Sequence, residues 1–325
     1  MLRKDKLLGG VLGLAVGDAL GVPVEFVQRE VLKSSPVESM EGYGSHNQPV
    51  GTWSDDTSMV LATLDSMCRG FSTDGMMEAF SRWYNMAEYT PFGEVFDIGG
   101  TTRLAIQRYL MGESVNDCGS SDVYSNGNGS LMRMLPMILY LDVTPINSNA
   151  VDLIYKVSGL THAHLISKIA CVYYVYIGMY LTVYSDKNEA MEEAIKAVDE
   201  YYKDTVYPDT RLGGLSRVFT LSEEDIKSSG YVVDSLEASI WCLYNSNSYT
   251  EAVLRAVNLG EDTDTIGAIT GSLAGLFIGG EHLPKEWVDS LQAKDKILQI
   301  VDRFYEQYKS VSYTHLRAHE TGRNL

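Results

Sequence analysis

The run Trp53-Ser54-Asp55-Asp56-Thr57 has a counterpart near the far end of the chain, Glu261-Asp262-Thr263-Asp264-Thr265. In each run acids stand beside hydroxyls and lead directly into an apolar helical pattern. Carboxylates and hydroxyls are hard oxygen donors, the ligands that Mg²⁺, Mn²⁺ and Ca²⁺ take. One such run caps a helix; two that meet supply enough oxygens for a dinuclear site able to polarise a substrate and activate water. Capping remains open for each run taken singly, since amide dipoles at a helix start favour acids in either role.

Four further constellations carry candidate chemistry. In Gly17-Asp18-Ala19-Leu20-Gly21-Val22-Pro23-Val24-Glu25-Phe26 a helix ends near Gly21, Pro23 forbids its continuation, and Glu25 follows on a loop as a candidate general base or gate. Ser125-Asn126-Gly127-Asn128-Gly129-Ser130-Leu131-Met132-Arg133 reads as an anion cradle, with exposed amides, a helix expected to begin at once and Arg133 one turn inside it. It lacks the Gly-Lys-Ser/Thr of a Walker loop. Asp97-Ile98-Gly99-Gly100-Thr101-Thr102 is another acid before a Gly turn and a helix start. In Thr161-His162-Ala163-His164, His162 precedes a long helix and either donates to a substrate oxygen or makes a structural hydrogen bond.

The elements that must position these residues are helices. Apolar residues recur at helical spacing over 5–20, 57–69, 74–88, 100–111, 130–140, 150–158, 164–184, 187–203, 235–245, 249–258, 264–279 and 284–307. Val50-Gly51-Thr52-Trp53 is the best strand-like piece, so the fold class is all-α. Loops are expected at 34–54, 89–99, 113–129 and 204–234. Gly267, Gly271 and Gly275 form a stripe at i, i+4, i+8, and Gly9, Gly13 and Gly17 repeat it on the first helix. Interior helical Gly costs about 1 kcal/mol relative to Ala, so the stripes predict close approach of these two helices. That contact would bring Asp18 and Glu25 beside the 262–265 run. The two runs then belong to one domain, 1–308, because no composition break divides the chain between them.

Composition bounds the partners. The 325-residue chain carries a formal charge of −17, which excludes general nucleic-acid binding. Cys68, Cys118, Cys171 and Cys242 form no CxxC pair and read as reduced thiols of a cytoplasmic protein. The N-terminal apolar run is interrupted by Asp18 and reads as a core helix rather than a signal peptide, and Ile266–Ile278 is too short to cross a bilayer; the protein is expected to be soluble, membrane-free and monomeric. After Lys309 the acidic periodic pattern gives way to a tail, 309–325, expected to be disordered or loosely docked; its His315 and His319 are spaced i, i+4.

Taken together and in this order, the segments Gly17–Glu25, Trp53–Thr57, Asp97–Gly99, Gly127–Ser130 with Arg133, Thr161-His162 and Asp262–Thr265 resemble the ADP-ribosylglycohydrolase family, which includes the dinitrogenase reductase-activating glycohydrolase. The resemblance runs from about residue 5 to about 305. It implies a compact, orthogonal all-α bundle holding two Mg²⁺ or Mn²⁺ ions, with Ser54, Asp55, Asp56, Asp262, Asp264 and Thr265 matching the family's ligands; Ser54 stands where Thr is commoner. It implies catalytic work by Glu25, Asp55 and Asp97. The Gly127, Asn128, Gly129, Ser130 loop with Arg133, and His162, match the substrate-binding side. The family often has Pro shortly after that His, where this chain has Leu165-Ile166. The implied substrate is an ADP-ribosylated protein, most readily one modified on arginine. A serine linkage or O-acetyl-ADP-ribose is the competing enzymatic reading, and an inactive, crystallin-like ADP-ribose-binding protein is the non-enzymatic one.

Overall fold

Two glycine-striped helices run antiparallel through the centre of the molecule. In the computed structural model, which describes residues 4–141 and 144–321, with side chains to 309, these are α1 (Lys4–Gly21) and α12 (Thr263–Ile278). A Cβ on Gly9 would meet the Gly275 carbonyl oxygen at 2.2 Å, one on Gly13 the Gly271 oxygen at 2.4 Å, and one on Gly17 the Gly267 oxygen at 2.0 Å. The two backbones touch along their whole length, as the stripes predict. Tyr249 Oη donates to the Gly13 carbonyl at 2.7 Å and closes the flank of the pair.

The remaining helices wrap this pair: α2 (Arg29–Ser34), α3 (Asp55–Met67), α4 (Thr73–Met86), α5 (Gly100–Leu110), α6 (Leu135–Leu141), α7 (Ser148–Gly159), α8 (Leu165–Val183), α9 (Lys187–Tyr201), α10 (Val232–Tyr244), α11 (Tyr249–Val257), α13 (Lys285–Ser290) and α14 (Lys294–Thr321). Among the described residues there is no strand, only isolated bridges such as Ser120–His162 and Gly127–Tyr231. The fold is all-α. The strand-like Val50–Trp53 is loop, and Trp53 is fully buried as a plug.

α1 and α8 are long and apolar enough to cross a membrane, but 89% and 78% of their apolar windows lie inside the protein. They are core helices. Tyr173, Tyr174 and Tyr176 on α8 are buried, and Tyr174 Oη lies 2.7 Å from Ser272 Oγ on α12.

Two expectations need correction. The helix expected over 130–140 is a 3-10 turn at Asn128–Ser130 followed by α6; Pro136 has no N–H to donate to Met132 O, so the helix starts only at Leu135. The helix expected over 284–307 is broken between α13 and α14. Gln292 donates its backbone N–H to Gly51 O and its side-chain amide to Val50 O, and these bonds pull 291–293 out of the helix. α14 continues to Thr321, over a stretch that holds neither Pro nor Gly. The side chains of His315 and His319, and residues 322–325, lie outside the described residues.

Candidate functional site

Asp18 begins the site. It sits on the last turns of α1, fully buried, where the glycine contact holds it against α12 and α3. Its Oδ1 accepts the Ser54 N–H at 2.9 Å; its Oδ2 accepts the Thr57 N–H at 3.0 Å and the Thr57 hydroxyl at 2.6 Å. Asp18 therefore ties down the start of α3 from another helix. Ser54 is the N-cap, accepting from the Asp56 N–H at 3.3 Å and donating to Asp56 Oδ2 at 3.1 Å.

The two acidic runs meet. Thr265 Oγ1 donates to Asp56 Oδ2 at 3.3 Å, although 209 positions separate them in sequence. Asp262 occupies the N-cap position of α12 but makes no side-chain cap bond. Its Oδ2 instead accepts from Asn128 Nδ2 at 2.7 Å, which connects the 125–133 loop to the acidic run. Carboxylate oxygens of Asp18, Asp56 and Asp264 all lie within 4.8 Å of one another, and so do those of Glu25, Asp262 and Asp264.

Capping does not account for this arrangement. Asp56 Oδ1 and Asp264 Oδ2 are buried and have no hydrogen-bond partner. A buried carboxylate oxygen without a donor is costly, and like charges packed around it add to the cost. Burial, then the neighbouring acids, push Asp55, Asp56 and Asp264 well above the usual carboxylate range. Burial likewise lifts Asp18 and Asp262 to about 6 and Glu25 to about 7. A divalent cation would remove both costs at once, so the donor set fits such an ion.

Above this floor opens a cleft of about 320 Å³ lined by acids and by backbone-rich turns. Glu25 and Asp97 line it, with His46 nearby. His46 Nε2 makes a short hydrogen bond to Glu25 Oε2 and lies 4.0 Å from Asp97 Oδ1. Its bond to Glu25 raises the imidazole's pKa. Asp97 adopts φ 58°, a left-handed conformation that Asp tolerates better than most residues. Directly after Asp97, Gly99, Gly100, Thr101 and Thr102 also line it as the start of α5, whose N-cap Gly99 offers no side-chain oxygen to the amides. Gly127, Asn128 and Gly129 face them. A Cβ on Gly129 would come within 2.9 Å of both His162 and Thr102. The cleft lining among the described residues includes no Lys or Arg.

Of the residues singled out in the sequence, Glu25, Asp55, Asp97, Gly127, Asn128, Gly129, His162, Asp262 and Thr265 line the cleft. Ser54, Asp56 and Asp264 lie buried below it. Ser130 and Arg133 do not reach it. Ser130 is buried and accepts a hydrogen bond from Ser158 Oγ at 3.0 Å. The expectation that Arg133 is a substrate contact is corrected: its guanidinium is fully buried, donates to Gly129 O at 2.5 Å and Val157 O at 3.2 Å, and stands over the Phe80 ring. The 3-10 turn in place of the expected helix points Arg133 inward, where it shapes the loop from behind. His162 is buried, and its Nδ1 lies 2.7 Å from Thr161 Oγ1. Burial, then Arg133, lower its pKa to about 3, so the ring is neutral. The 161–165 turn, without proline, is shaped by Ser120 N–H to Thr161 O and Ala163 N–H to Ser120 O bonds.

Sequence reasoning missed His46 as a site residue and gave Asp18 no role as a hub. A lone His in the 34–54 loop carries no spacing signal. The one local hint is Gly44 (φ 55°), where a Cβ would lie 1.9 Å from Pro23 O, packing the His46 turn against the segment that leads to Glu25.

A profile described as ADP-ribosylglycohydrolase matches residues 1–313. The chain is 31% identical over 307 residues to an ADP-ribosylarginine hydrolase, Tri1, of Serratia proteamaculans, covering 93% of this chain and 79% of that protein. It is 29% identical over 295 residues to the ADP-ribosyl-[dinitrogen reductase] glycohydrolase of Rhodospirillum rubrum, covering 89% and 91%. A solved structure titled as an ADP-ribosylglycohydrolase-related protein complex superposes with a TM-score of 0.75 at 29% identity, covering 94% of this chain and 99% of that one.

Proposed function

Because the chain belongs to the ADP-ribosylglycohydrolase family and hydrolyses a glycosidic bond to ADP-ribose, we propose that its cleft releases ADP-ribose from modified arginine side chains of proteins, using two divalent cations, Mg²⁺ or Mn²⁺. The observation that carries the reading is the contact of the two acidic runs, with orphaned oxygens on Asp56 and Asp264, beneath a cleft that has backbone-rich turns and no basic side chain. Ser54, Asp55, Asp56, Asp262, Asp264 and Thr265 would hold the cations, with Asp18 fixing the start of α3. When bound, such ions supply Lewis-acid pull on ribose hydroxyls and lower the pKa of a water.

The chain's own residues do the rest. The free amides at the start of α5 and the Gly127–Gly129 backbone receive the pyrophosphate, which an acidic protein must otherwise repel. Neutral His162, its Nδ1 paired with Thr161, presents Nε2 toward the Gly127–Gly129 wall and donates to a substrate oxygen there. Cleavage at the anomeric carbon builds positive charge on the ribose; Glu25 and Asp97 face it, stabilise it and take the proton of the attacking water. His46 holds the Glu25 carboxylate in place.

We read residues 1–308 as one domain, since α1, α12 and α14 pack together. We read the protein as a cytoplasmic monomer, with the four unpaired cysteines as the support for a reducing compartment. The test is mass spectrometry of ADP-ribosylated arginine and serine peptides with Mg²⁺, Mn²⁺ or EDTA. The expected result is metal-dependent release from arginine, abolished by Asp55→Ala with Asp264→Ala while the helical circular dichroism is retained. Release from serine alone overturns the arginine assignment; activity in EDTA or in the double variant overturns the metal assignment.

A further inference from the structure

Phe26, next to Glu25, lines the cleft yet is 70% exposed. Its φ is 64°, a strained region for a bulky residue that Gly or Asn occupies more cheaply. The backbone is locked there. Phe26 N–H donates to Glu261 O at 2.6 Å, and Glu261, itself at φ 62°, donates to Val27 O at 2.8 Å. Gly260 permits the lock, since a Cβ on it would lie 2.7 Å from Arg29 N and 2.8 Å from Val27 O. The segments that deliver Glu25 and Asp262 thus hold each other, and the outcome is an aromatic ring presented to water at the mouth of the cleft. Burial of the ring does not offset the strain.

The ring stands beside the acids. Its centroid lies 5.9 Å from that of His46, and the His46 ring lies 5.2 Å from Phe96. His46 in turn bonds Glu25 and lies 4.0 Å from Asp97, so Phe26 rims the cleft next to those two acids. Backbone amides suit an anion. Carboxylates suit a cation, and an exposed ring face beside them suits a planar one.

We propose that Phe26 determines specificity for the acceptor: its ring is the platform on which the guanidinium of the modified arginine stacks while the ADP-ribose lies against the Gly127–Gly129 loop. This rests on the arginine reading above.

The experiment measures KM for an ADP-ribosylated arginine peptide and the inhibition constant of free ADP-ribose, which lacks the acceptor, for wild type, Phe26→Asn, Phe26→Leu and Phe26→Tyr. Asn accepts the left-handed backbone; Tyr keeps the ring. The expected result is a rise in KM of roughly three- to thirtyfold for the Asn and Leu variants, near wild-type KM for Tyr, and ADP-ribose inhibition within about twofold throughout. An unchanged KM in both ringless variants, or KM and ADP-ribose inhibition worsening together, overturns the platform while leaving the arginine reading intact. Failure of the wild type to act on the arginine peptide overturns that reading and this inference with it.

Discussion

A Cβ on Gly21 would lie 2.3 Å from both the Cα and the backbone nitrogen of Asp264. Gly21 is the last residue of α1, and Asp264 is in the first turn of α12. The glycine contact between the two helices thus ends on an acid of the site, and the distance between backbones is what sets that acid's position. Gly21→Ala is expected to lower stability by about 1–3 kcal/mol, the range for overpacking a tight core. It should also weaken Mn²⁺ binding in calorimetry. Gly9→Ala, at the opposite end of the contact beside Gly275, should lower stability comparably and leave Mn²⁺ affinity near wild type.

The orphaned oxygens of Asp56 and Asp264 make metal removal a stability experiment. A ligand at a hundredfold its Kd adds about 2.7 kcal/mol, so Mg²⁺ or Mn²⁺ should raise the melting temperature by a few degrees and EDTA should reverse the rise. Asp56→Asn with Asp264→Asn should abolish that rise. In EDTA the double variant should melt above the wild type, because like charges are gone and no ion is missed. A variant that melts below wild type in EDTA would show that these acids stabilise the fold without an ion.

Glu25 and His46 should separate in kinetics. Glu25→Gln keeps the size of the side chain and should lower kcat by about 10²–10⁴-fold, the span for loss of a positioned acid or base. His46→Ala removes only the group that holds Glu25 and should cost roughly ten- to a hundredfold, with KM little changed. Equal losses in the two variants would assign His46 a direct part in the chemistry.

Arg133 offers a contrast between charge and shape. Lys keeps the charge but cannot bond Gly129 O and Val157 O together. If Arg133 shapes the loop from behind, Arg133→Lys and Arg133→Met should both lose about 1–3 kcal/mol of stability and weaken ADP-ribose binding alike. Rescue of ADP-ribose binding by Lys alone would restore Arg133 as an anion contact.

His162 gives a pH dependence of known sign. Its pKa is lowered from 6.5 to about 3 in the folded protein, by burial first and then by Arg133. Between those values the unfolded chain binds a proton that the native state does not. Stability from this residue is therefore present above pH 6.5 and is lost as pH falls below it, by up to about 1.4 kcal/mol per unit. The urea midpoint of the wild type should fall relative to that of His162→Gln between pH 7 and pH 5. A constant difference between the two would place the imidazole in water.

The helical class, most helix spans and the meeting of the chain's two ends were legible in the sequence, because periodicity and glycine spacing are local signals with direct packing consequences. Gly9, Gly13 and Gly17 against Gly275, Gly271 and Gly267 is such a case: small residues at fixed spacing can serve only close approach. The types of residue at Ser54–Asp56 and Asp262–Thr265 likewise named the donor chemistry. Only the tertiary structure decided which residues face the cleft. Asp18 became the hub of α3 because α1 delivers it there, and His46 reached Glu25 across a loop that has no periodicity. Arg133 turned inward because the Val157 carbonyl, with that of Gly129, holds its guanidinium more effectively than solvent does. Phe26 was turned outward by hydrogen bonds to Glu261. Side-chain direction at a loop depends on partners from elsewhere in the chain, and a sequence read locally does not hold them.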